Sequence, residues 1–584
     1  MAGFSFILRE LPAGRGPLVK KAWLVHIPRQ NARSLDWTAG FARASVPAVR
    51  VHGMGCVDMD LLWLPRTADG GMTYAGQDAS LAANYDWTIA DECVKNAVDA
   101  GLVVDIRFGH SRALKADHPS YSQGPDDAAV FAQVCAEIAD RYVNVKGYGA
   151  TGLVRDFSVW NEPSSPFEDH EVSPFYVGTS ADYEEMYYAV FKEIKHTRSA
   201  TLGAKVRIGA ALGLDDFSTA FLAKLKTRPA AYAGMDFIDF HAYPASPSTL
   251  EYQIWGKGAG SMEGQLTAAG WPKDTPILIG EWSRTIPLYA VDGPGTAFVA
   301  SGLAHLNAMA PGNGAHAVER GFLYASQKIW DGAQSGAPDL NAATAMNWWA
   351  RLAGGAGAGA GGAPPTMAML QTTGSALPAT KHDTVDFVVV ASTAAGGGGD
   401  EVLLMVSHYD TQGLPKGQKP SAMACFPLEL SVDNVPWAKW SWTQYSNVLP
   451  NKLVATAAGC GDSTTTQLAL QMHGNAFVGV RIADATSTAC TGLPESDAYP
   501  AATLTPAEMA EAATRRCGGG WTATPTKAPT AVQTTEAPTA PTPQPTVPNV
   551  HSGAAAGRAT AAGHNAAVLG MMMTLALVAG GGKF

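Results

Sequence analysis

The sequence predicts an α/β protein in which a (β/α)8 TIM barrel is followed by an antiparallel β-sandwich and then by a disordered tail rich in threonine and proline. Three patterns indicate this order. From residue 22 to residue 352, short apolar runs alternate with amphipathic helical patterns, as in a closed parallel barrel. Apolar runs then follow one another without helices between them. The last part consists mainly of Thr, Pro and Ala, which cannot form a core.

Eight apolar runs are predicted to be the barrel strands, and eight is the number that a closed parallel barrel requires. Between them, apolar residues recur three and four positions apart at 86–100, 126–141 and 181–198, which indicates helices. The predicted strands are 22–27, 48–51, 102–106, 157–160, 205–208, 237–240, 277–280 and 321–324.

Composition suggests the remaining boundaries. We assign 1–352 to the barrel, 353–365 to a linker of glycine and alanine, and 366–500 to the sandwich. A segment at 501–520 contains a cysteine and opens with a short helix, because Thr505 and Glu508 form a predicted capping box around Pro506. The β-rich segments of the sandwich are predicted at 384–391, 401–408, 426–432, 437–445 and 467–482.

The C-terminal end combines the features of a lipid-attachment signal. A Thr/Pro-rich stalk at 521–550 is followed at 551–584 by small residues, a spacer and an apolar tail. The uncharged run 566–579 is shorter than the about 20 residues of a transmembrane helix, and the whole pattern resembles a glycosylphosphatidylinositol signal. We therefore expect an extracellular or cell-surface protein that meets a membrane only through a C-terminal lipid anchor or tail. Residues 1–16 show no evident secretory signal.

Charge and cysteine content narrow the class of protein. The net charge of −10, without any basic run, argues against nucleic acid as a partner and is compatible with a neutral sugar. Cys56, Cys93 and Cys135 are predicted to be buried apolar residues. The four later cysteines allow two disulfides in three possible pairings, which would suit an oxidising compartment. They are Cys425, Cys460, Cys490 and Cys517.

Two glutamates follow apolar runs in a way that predicts chemistry. Glu162 lies in Trp-Asn-Glu-Pro after the fourth predicted strand, and Glu281 lies in Gly-Glu-Trp after the seventh. In a barrel the C-terminal strand ends converge on one face, where the active site lies. Two carboxyl groups facing one sugar can cleave a glycosidic bond, one as acid and the other as nucleophile or base. The sequence therefore predicts a glycoside hydrolase that needs no cofactor and no metal.

The residues around these glutamates also carry a family resemblance. Arg50-Val51-His52-Gly53 followed by Asp58-Met59, together with Trp160-Asn161-Glu162-Pro163, His241-Ala242-Tyr243 and Gly280-Glu281-Trp282, resembles glycoside hydrolase family 39. The resemblance extends over about residues 22–410, and the family belongs to clan A. It implies a carbohydrate substrate, Glu162 as general acid and base, and Glu281 as an ionised nucleophile.

The resemblance further implies roles for seven residues that bind or orient the substrate or the catalytic pair. Arg50 would keep Glu281 charged, Tyr243 would donate to the same carboxylate, and Asn161 would bind the sugar 2-hydroxyl. The remaining four would orient groups or form a stacking platform: His52, His241, Trp282 and Trp330.

Family 39 includes β-xylosidases and α-L-iduronidases, and the Gly-Glu-Trp segment looks closer to the β-xylosidases. An iduronidase would need extra cations for the substrate carboxylate, and Arg107 and Arg284 are the nearby candidates. Another clan A glycosidase is a further alternative. A surface-anchored carbohydrate-binding or adhesive protein without turnover is the alternative of a different class, although such a protein would not need both glutamates.

Overall fold

The computed structural model describes the barrel strands and most of the helices between them, much of the sandwich and a late helix. The described residues are 3–6, 23–25, 48–51, 56–110, 122–164, 175–229, 234–256, 258, 260–284, 293–309, 316–324, 341–352, 369–372, 385–393, 401–410, 423–433, 437–449, 452–461, 465–474, 476–485, 498–499 and 504–515. The predicted linker, stalk and apolar tail lie outside these ranges.

The predicted barrel is confirmed, with all eight strands near their expected positions. The strands form one parallel sheet in sequence order, β2 to β9, and β2 contacts β9, which closes the barrel. Their bounds are β2 Trp23–Val25, β3 Ala48–Val51, β4 Val103–Phe108, β5 Val154–Val159, β6 Arg207–Leu212, β7 Phe237–Ala242, β8 Ile277–Trp282 and β9 Val318–Leu323.

The helices of the barrel lie where apolar residues recur at helical spacing, and side-chain caps fix several of their first turns. Asp127 accepts from the backbone of Ala129 and Val130, and Thr179 forms a capping box with Asp182. The α-helices are Met59–Leu62, Thr88–Asp99, Ala128–Asp140, Ser180–Lys192, Asp216–Leu225, Pro247–Trp255, Met262–Ala268, Gly293–Ala308 and Asn341–Leu352. Wider π turns extend two of them, at Arg141–Val145 and Glu193–Thr197.

The interior of the barrel contains buried charges where branched apolar side chains are more usual. On several strands, buried charged residues alternate with apolar neighbours that pack against the helices. Because the charges sit between apolar residues, the strands still read as apolar runs in the sequence. These buried residues include Arg50, Asp105, Asp156, Asp239 and Arg320.

The β-sandwich is also confirmed, with more strands than the sequence predicted. Seven strands form one antiparallel sheet in the order β10-β11-β12-β17-β14-β15-β18, and β1-β13-β16 form a second sheet. The segment predicted as one strand at 467–482 is two strands, β16 and β17, which belong to different sheets. The strand bounds are β1 Gly3–Phe6, β10 Met369–Thr372, β11 Val385–Thr393, β12 Glu401–Asp410, β13 Met423–Asp433, β14 Trp440–Leu449, β15 Lys452–Gly461, β16 Thr465–Gly474, β17 Ala476–Asp484 and β18 Ala498–Tyr499.

Two further elements lie before and after the main part of the fold, a strand near the start of the chain and a helix after the sandwich. β1, which composition assigned to the barrel, pairs in parallel with β13 of the sandwich. The predicted late helix is present at Pro506–Arg515, where the Glu508 side chain accepts from the Thr505 backbone nitrogen at 2.9 Å. None of the helices in the described ranges is long and apolar enough to span a lipid bilayer.

The sandwich packs on the two barrel helices that follow β8 and β9. Ser407 of β12 donates to the backbone oxygen of Ala297 at 2.9 Å, and Ser301 donates to Ser407 at 3.0 Å. The indole nitrogen of Trp348 donates to the Leu404 backbone oxygen at 2.8 Å. These buried hydrogen bonds attach the sandwich to the part of the barrel that carries Glu281.

The prediction that Cys56 and Cys93 are only buried apolar residues is wrong about their bonding. Cys56, in the loop after β3, forms a disulfide with Cys93 on the buried face of the helix Thr88–Asp99. The bond closes a loop with a sequence separation of 37, which contributes roughly 3 to 4 kcal/mol in the chain-entropy model. Cys135 is buried and free, as predicted. Cys460 is also disulfide-bonded.

Candidate active site

Glu162 and Glu281 meet at the C-terminal end of the barrel, although 119 residues separate them in the chain. Each offers a carboxylate oxygen, and these oxygens and a ring nitrogen of His241 all lie within 4.8 Å of one another. Glu281 is buried at 3% exposure, and Glu162 is partly exposed at the barrel mouth. Two carboxylates therefore face a common space that opens to solvent on one side.

The turn after β5 directs Glu162 into this space. Trp160 and Glu162 have φ values of 69° and 40°, a left-handed region that non-glycine residues rarely adopt. The buried Trp160 ring packs edge-on against Tyr176, and its backbone nitrogen donates to the Phe108 oxygen at 2.9 Å. Gly109 passes so close that a Cβ there would lie 2.9 Å from the ring. Packing around Trp160 thus stabilises the unusual turn.

Glu281 is bound from two sides. Arg50 lies beneath it, with one guanidinium nitrogen 3.4 Å from Oε1, and the Tyr243 hydroxyl donates to Oε2. Gly280 makes room for this arrangement, because a Cβ there would lie 3.2 Å from the Arg50 guanidinium carbon. A cation and a hydroxyl donor therefore orient the Glu281 carboxylate.

His241 lies between the two glutamates. Its Nδ1 is 2.7 Å from Glu162 Oε1 and 3.5 Å from Glu281 Oε2. Burial alone would lower the pKa of His241, but the carboxylates of Glu281 and Glu162 outweigh it and raise the pKa. The imidazole is thus in position to exchange a hydrogen bond with Glu162 and to respond to the charge on Glu281.

The surroundings of Glu281 act on its pKa in opposing directions. Burial is the largest effect and raises its pKa, and the negative charge of Glu162 adds to this. His241, Arg50 and Tyr243 act in the opposite direction. Glu281 therefore retains a proton more readily than an isolated carboxylate would.

Two buried side chains near the site keep polar atoms unpaired within the described part of the chain. One is Oδ1 of Asn161, which lies between the strained residues Trp160 and Glu162. The other is Arg107 at the end of β4, whose Nε and one terminal nitrogen have no hydrogen-bond partner among the described residues. Burial lowers the pKa of Arg107 to about 10. Such atoms are available to a polar ligand.

A metal ion is another group that two carboxylates and a histidine can bind. Glu162, His241 and Glu281 form such a group within the described residues. Arg50 and Tyr243 already bind the Glu281 carboxylate, so side chains supply the positive charge and the donor that a cation would provide. We therefore interpret the three residues as acid–base groups.

The remaining predicted site residues do not all join the cluster. Trp282 is fully buried and stacks on Phe298 of a barrel helix at 6.1 Å, so it packs in the core and offers no platform to a sugar. Its position directly after Glu281 turns it to the outer face of the sheet. His52 and Trp330 lie outside the described residues, and their roles stay predictions.

Sequence reasoning missed Asp239 and Asp105, which contact Arg50 inside the barrel. Asp239 accepts from Arg50 at 2.7 Å, and Asp105 lies 3.9 Å from Arg50 Nε. Burial raises the pKa of Asp105 to about 8. The signal that could have revealed both is an aspartate between apolar residues two or more positions before a strand end, on the same face as the site.

Solved structures with this fold include three glycoside hydrolases. A glucosidase from Croceicoccus marinus aligns with a TM-score of 0.53 and 14% identity over 83% of this chain and 99% of the other. A monomeric β-xylosidase from Caulobacter crescentus CB15 gives a TM-score of 0.53 and 13% identity over 83% and 100%. A GH39 enzyme from Xanthomonas axonopodis pv. citri gives 0.51 and 14% over 82% and 97%.

The chain thus has a fold like that of family 39 in clan A of the glycosidases. Neither the family models nor the curated sequences compared with this chain match it.

Proposed function

We propose that this protein is a retaining glycoside hydrolase that cleaves O-glycosidic bonds by double displacement. The observation that carries the proposal is the pair Glu162 and Glu281, whose oxygens lie within 4.8 Å of each other at the barrel mouth. Retaining enzymes separate their carboxyl groups by about 5 to 5.5 Å, whereas inverting enzymes need about 6.5 to 9.5 Å for a water molecule. The short separation supports direct attack by a carboxylate.

In the first step Glu281 attacks the anomeric carbon while Glu162 protonates the departing oxygen. Arg50 and Tyr243 support this assignment, because both bind the Glu281 carboxylate and orient it. Glu162 is the more exposed of the two and contacts His241, which suits a group that must exchange protons with a leaving group and with water.

In the second step Glu162, now ionised, takes a proton from water, and the water releases the sugar from Glu281. The unpaired Oδ1 of Asn161 supports a contact with a sugar hydroxyl, and such a contact strengthens as positive charge develops on the ring. All steps use side chains of the chain itself.

A β-xylosidase-like activity on xylosides or related plant or algal cell-wall sugars is our first proposal for the substrate. It rests on the Gly-Glu-Trp resemblance, and one solved structure with this fold is a β-xylosidase. A second candidate is an acidic sugar, as in an α-L-iduronidase-like enzyme. The unpaired nitrogens of buried Arg107 favour it, because a carboxylate would satisfy them.

A panel of aryl glycosides tests these proposals with the purified full chain. Release of the aryl group from a β-xyloside supports the first substrate, and release from an α-L-iduronide supports the second. Proton NMR of the first sugar formed should show retained anomeric configuration. An inverted product would contradict the double displacement. Saturable sugar binding without release of any aryl group would favour the non-catalytic binding protein.

We also propose that the protein is displayed at a cell surface, as the stalk and apolar tail at 521–584 suggest. A phosphatidylinositol-specific phospholipase C should release it from intact cells. Retention of the protein on phospholipase-treated cells, or its recovery without any surface fraction, would contradict a lipid anchor.

A further inference from the structure

Asp239 connects the two residues that contact the catalytic glutamates. It lies on β7, two positions before His241, and its Oδ2 accepts from Arg50 at 2.7 Å. Its other oxygen, Oδ1, lies 3.9 Å from Nε2 of His241. Arg50 in turn contacts Glu281, and His241 contacts Glu162. One carboxylate therefore faces both supporting side chains.

The two facing atoms are available to each other. Asp239 Oδ1 and His241 Nε2 are both buried, and neither has a hydrogen-bond partner among the residues that the structure describes. Gly280 keeps the space beside them open, because a Cβ at that position would lie 1.9 Å from Asp239 Oδ1. A buried donor and a buried acceptor left unpaired are each costly, so a small approach that joins them is favoured.

The role inferred here for Asp239 rests on the proposed function of the site in glycoside hydrolysis. We propose that Asp239 is a positioning residue that keeps Arg50 against Glu281 and selects the tautomer of His241 in which Nε2 carries the proton. The ion pair with Arg50 fixes Oδ2, and the position of Oδ1 offers a buried acceptor to a proton on Nε2, while Nδ1 faces Glu162.

The tautomer of His241 affects the ability of Glu162 to act as an acid. With its proton on Nε2, His241 presents a lone pair on Nδ1, 2.7 Å from Glu162 Oε1. That lone pair accepts a hydrogen bond from the protonated form of Glu162, which is the form needed to protonate a leaving oxygen. Asp239 would thereby help Glu162 to keep its proton until the sugar bond breaks.

Several other charged and titratable groups surround Asp239 and His241. Asp105 on β4 interacts with Asp239 itself and with three further charged residues, which are Arg50 on β3, Asp156 on β5 and Arg320 on β9. Glu281 on β8 faces His241, and the Tyr183 hydroxyl approaches from a helix. Asp105 contacts Arg50 without contacting His241, so it provides a matched control.

The test compares Asp239→Asn with Asp105→Asn in the full chain. For Asp239→Asn the pair Glu162–His241 loses a neighbouring negative charge and holds its proton less firmly. The alkaline limb of kcat/KM should therefore move to lower pH by roughly one to two units. Asp105 contacts Arg50 but not His241, so Asp105→Asn leaves the pair of Asp239 and His241 in place and should shift that limb less than Asp239→Asn does. An unshifted limb in Asp239→Asn, or an equal shift in both variants, would overturn the proposal.

A second measurement needs neither turnover nor a folded variant of Asp239. In wild-type protein labelled with 15N-histidine, at a pH above the titration of His241, the ring should show a protonated Nε2 and an unprotonated Nδ1. The His241→Asn variant identifies the signal by its loss. A neutral ring with the proton on Nδ1 would refute the assignment. If no aryl glycoside is hydrolysed but the Nε2 tautomer is found, the glycosidase proposal fails and the structural part of this inference survives.

Discussion

Two clusters of arginine and carboxylate side chains lie inside the same barrel, and they behave in opposite ways. One cluster, here called the N-terminal cluster, lies towards the N-terminal ends of the barrel strands. In it, Asp156 accepts from Arg207 at 2.6 Å and also from Arg320. Burial alone would raise the pKa of Asp156, but Arg320, Arg207 and Arg155 outweigh it and lower the pKa. At the C-terminal end, Arg50 and Tyr243 also bind Glu281, yet burial prevails there and raises its pKa.

The difference lies in how many opposite charges surround each carboxylate. Asp156 faces three arginines, Arg320, Arg207 and Arg155, whereas Glu281 shares one arginine with Asp239 and faces Glu162. The first cluster is an ion-pair network that supports the fold. The second leaves carboxylates close together with opposing influences on their protons, which is the arrangement that acid–base and nucleophilic catalysis uses.

The largest expected effect is a loss of kcat that follows from a substitution in the cluster around Glu281 and not from one in the N-terminal cluster. Glu281→Gln should lower kcat on aryl glycosides by roughly 10⁴- to 10⁶-fold, because a nucleophile has no substitute in double displacement. Glu319→Gln provides the control, since Glu319 binds Arg207 at 2.8 Å in the N-terminal cluster. Its kcat should match that of the wild type. Comparable losses in both variants would erase the distinction between the clusters.

Replacement of the acid should depend on the leaving group. Glu162→Ala should slow hydrolysis of glycosides with poor leaving groups by roughly 10²- to 10⁴-fold, with far less effect on the bond-breaking step of activated aryl glycosides. Rates for a series of aryl leaving groups measure this dependence. An equal loss across the series would contradict the acid role of Glu162.

In the N-terminal cluster the expected loss is one of stability. Asp156→Ala leaves Arg207 and Arg320 without their shared buried partner and should lower the free energy of unfolding by roughly 3 to 5 kcal/mol. Urea unfolding measures this change. At temperatures where the variant stays folded, kcat/KM should remain close to the wild-type value. A tenfold fall in kcat/KM at those temperatures would mean that the N-terminal cluster takes part in catalysis.

The smallest expected effect is a shift in the pH profile. The Tyr243 hydrogen bond lowers the pKa of Glu281, so Tyr243→Phe should raise that pKa further. Since the nucleophile must be ionised, activity would be lost at a higher pH as pH falls. The acid limb of kcat/KM should move up by roughly one to two units. Tyr187→Phe, which removes a hydrogen bond to the Gly234 oxygen away from the site, should leave the limb in place.

The eight barrel strands and the placement of Glu162 and Glu281 at one end of the barrel could be predicted from the sequence because each depends on a local pattern. Apolar runs mark the strands, and a glutamate after a run marks the site face. The sequence could not reveal that Cys56 bonds Cys93 or that β1 joins the sandwich, since both depend on pairings distant in the chain.

The supporting residues were hidden for a different reason. Asp239 and Asp105 lie inside apolar strands, and only closure of the barrel brings them to Arg50. The left-handed turn at Trp160 and Glu162 could not be foreseen either, because packing against Gly109 and Tyr176 stabilises a conformation that both residue types disfavour. Trp282 shows the converse, since an aromatic residue beside the nucleophile packs in the core.

Trapping of the covalent intermediate tests the central claim most directly. A 2-deoxy-2-fluoro glycoside with an activated leaving group, of the glycone that the aryl panel identifies, should inactivate the enzyme and accumulate on the nucleophile. After proteolysis, mass spectrometry should find the fluorosugar on the peptide that contains Glu281. A fluorosugar attached to a different residue, or turnover of the normal substrate with an inverted product and no adduct, would contradict the account.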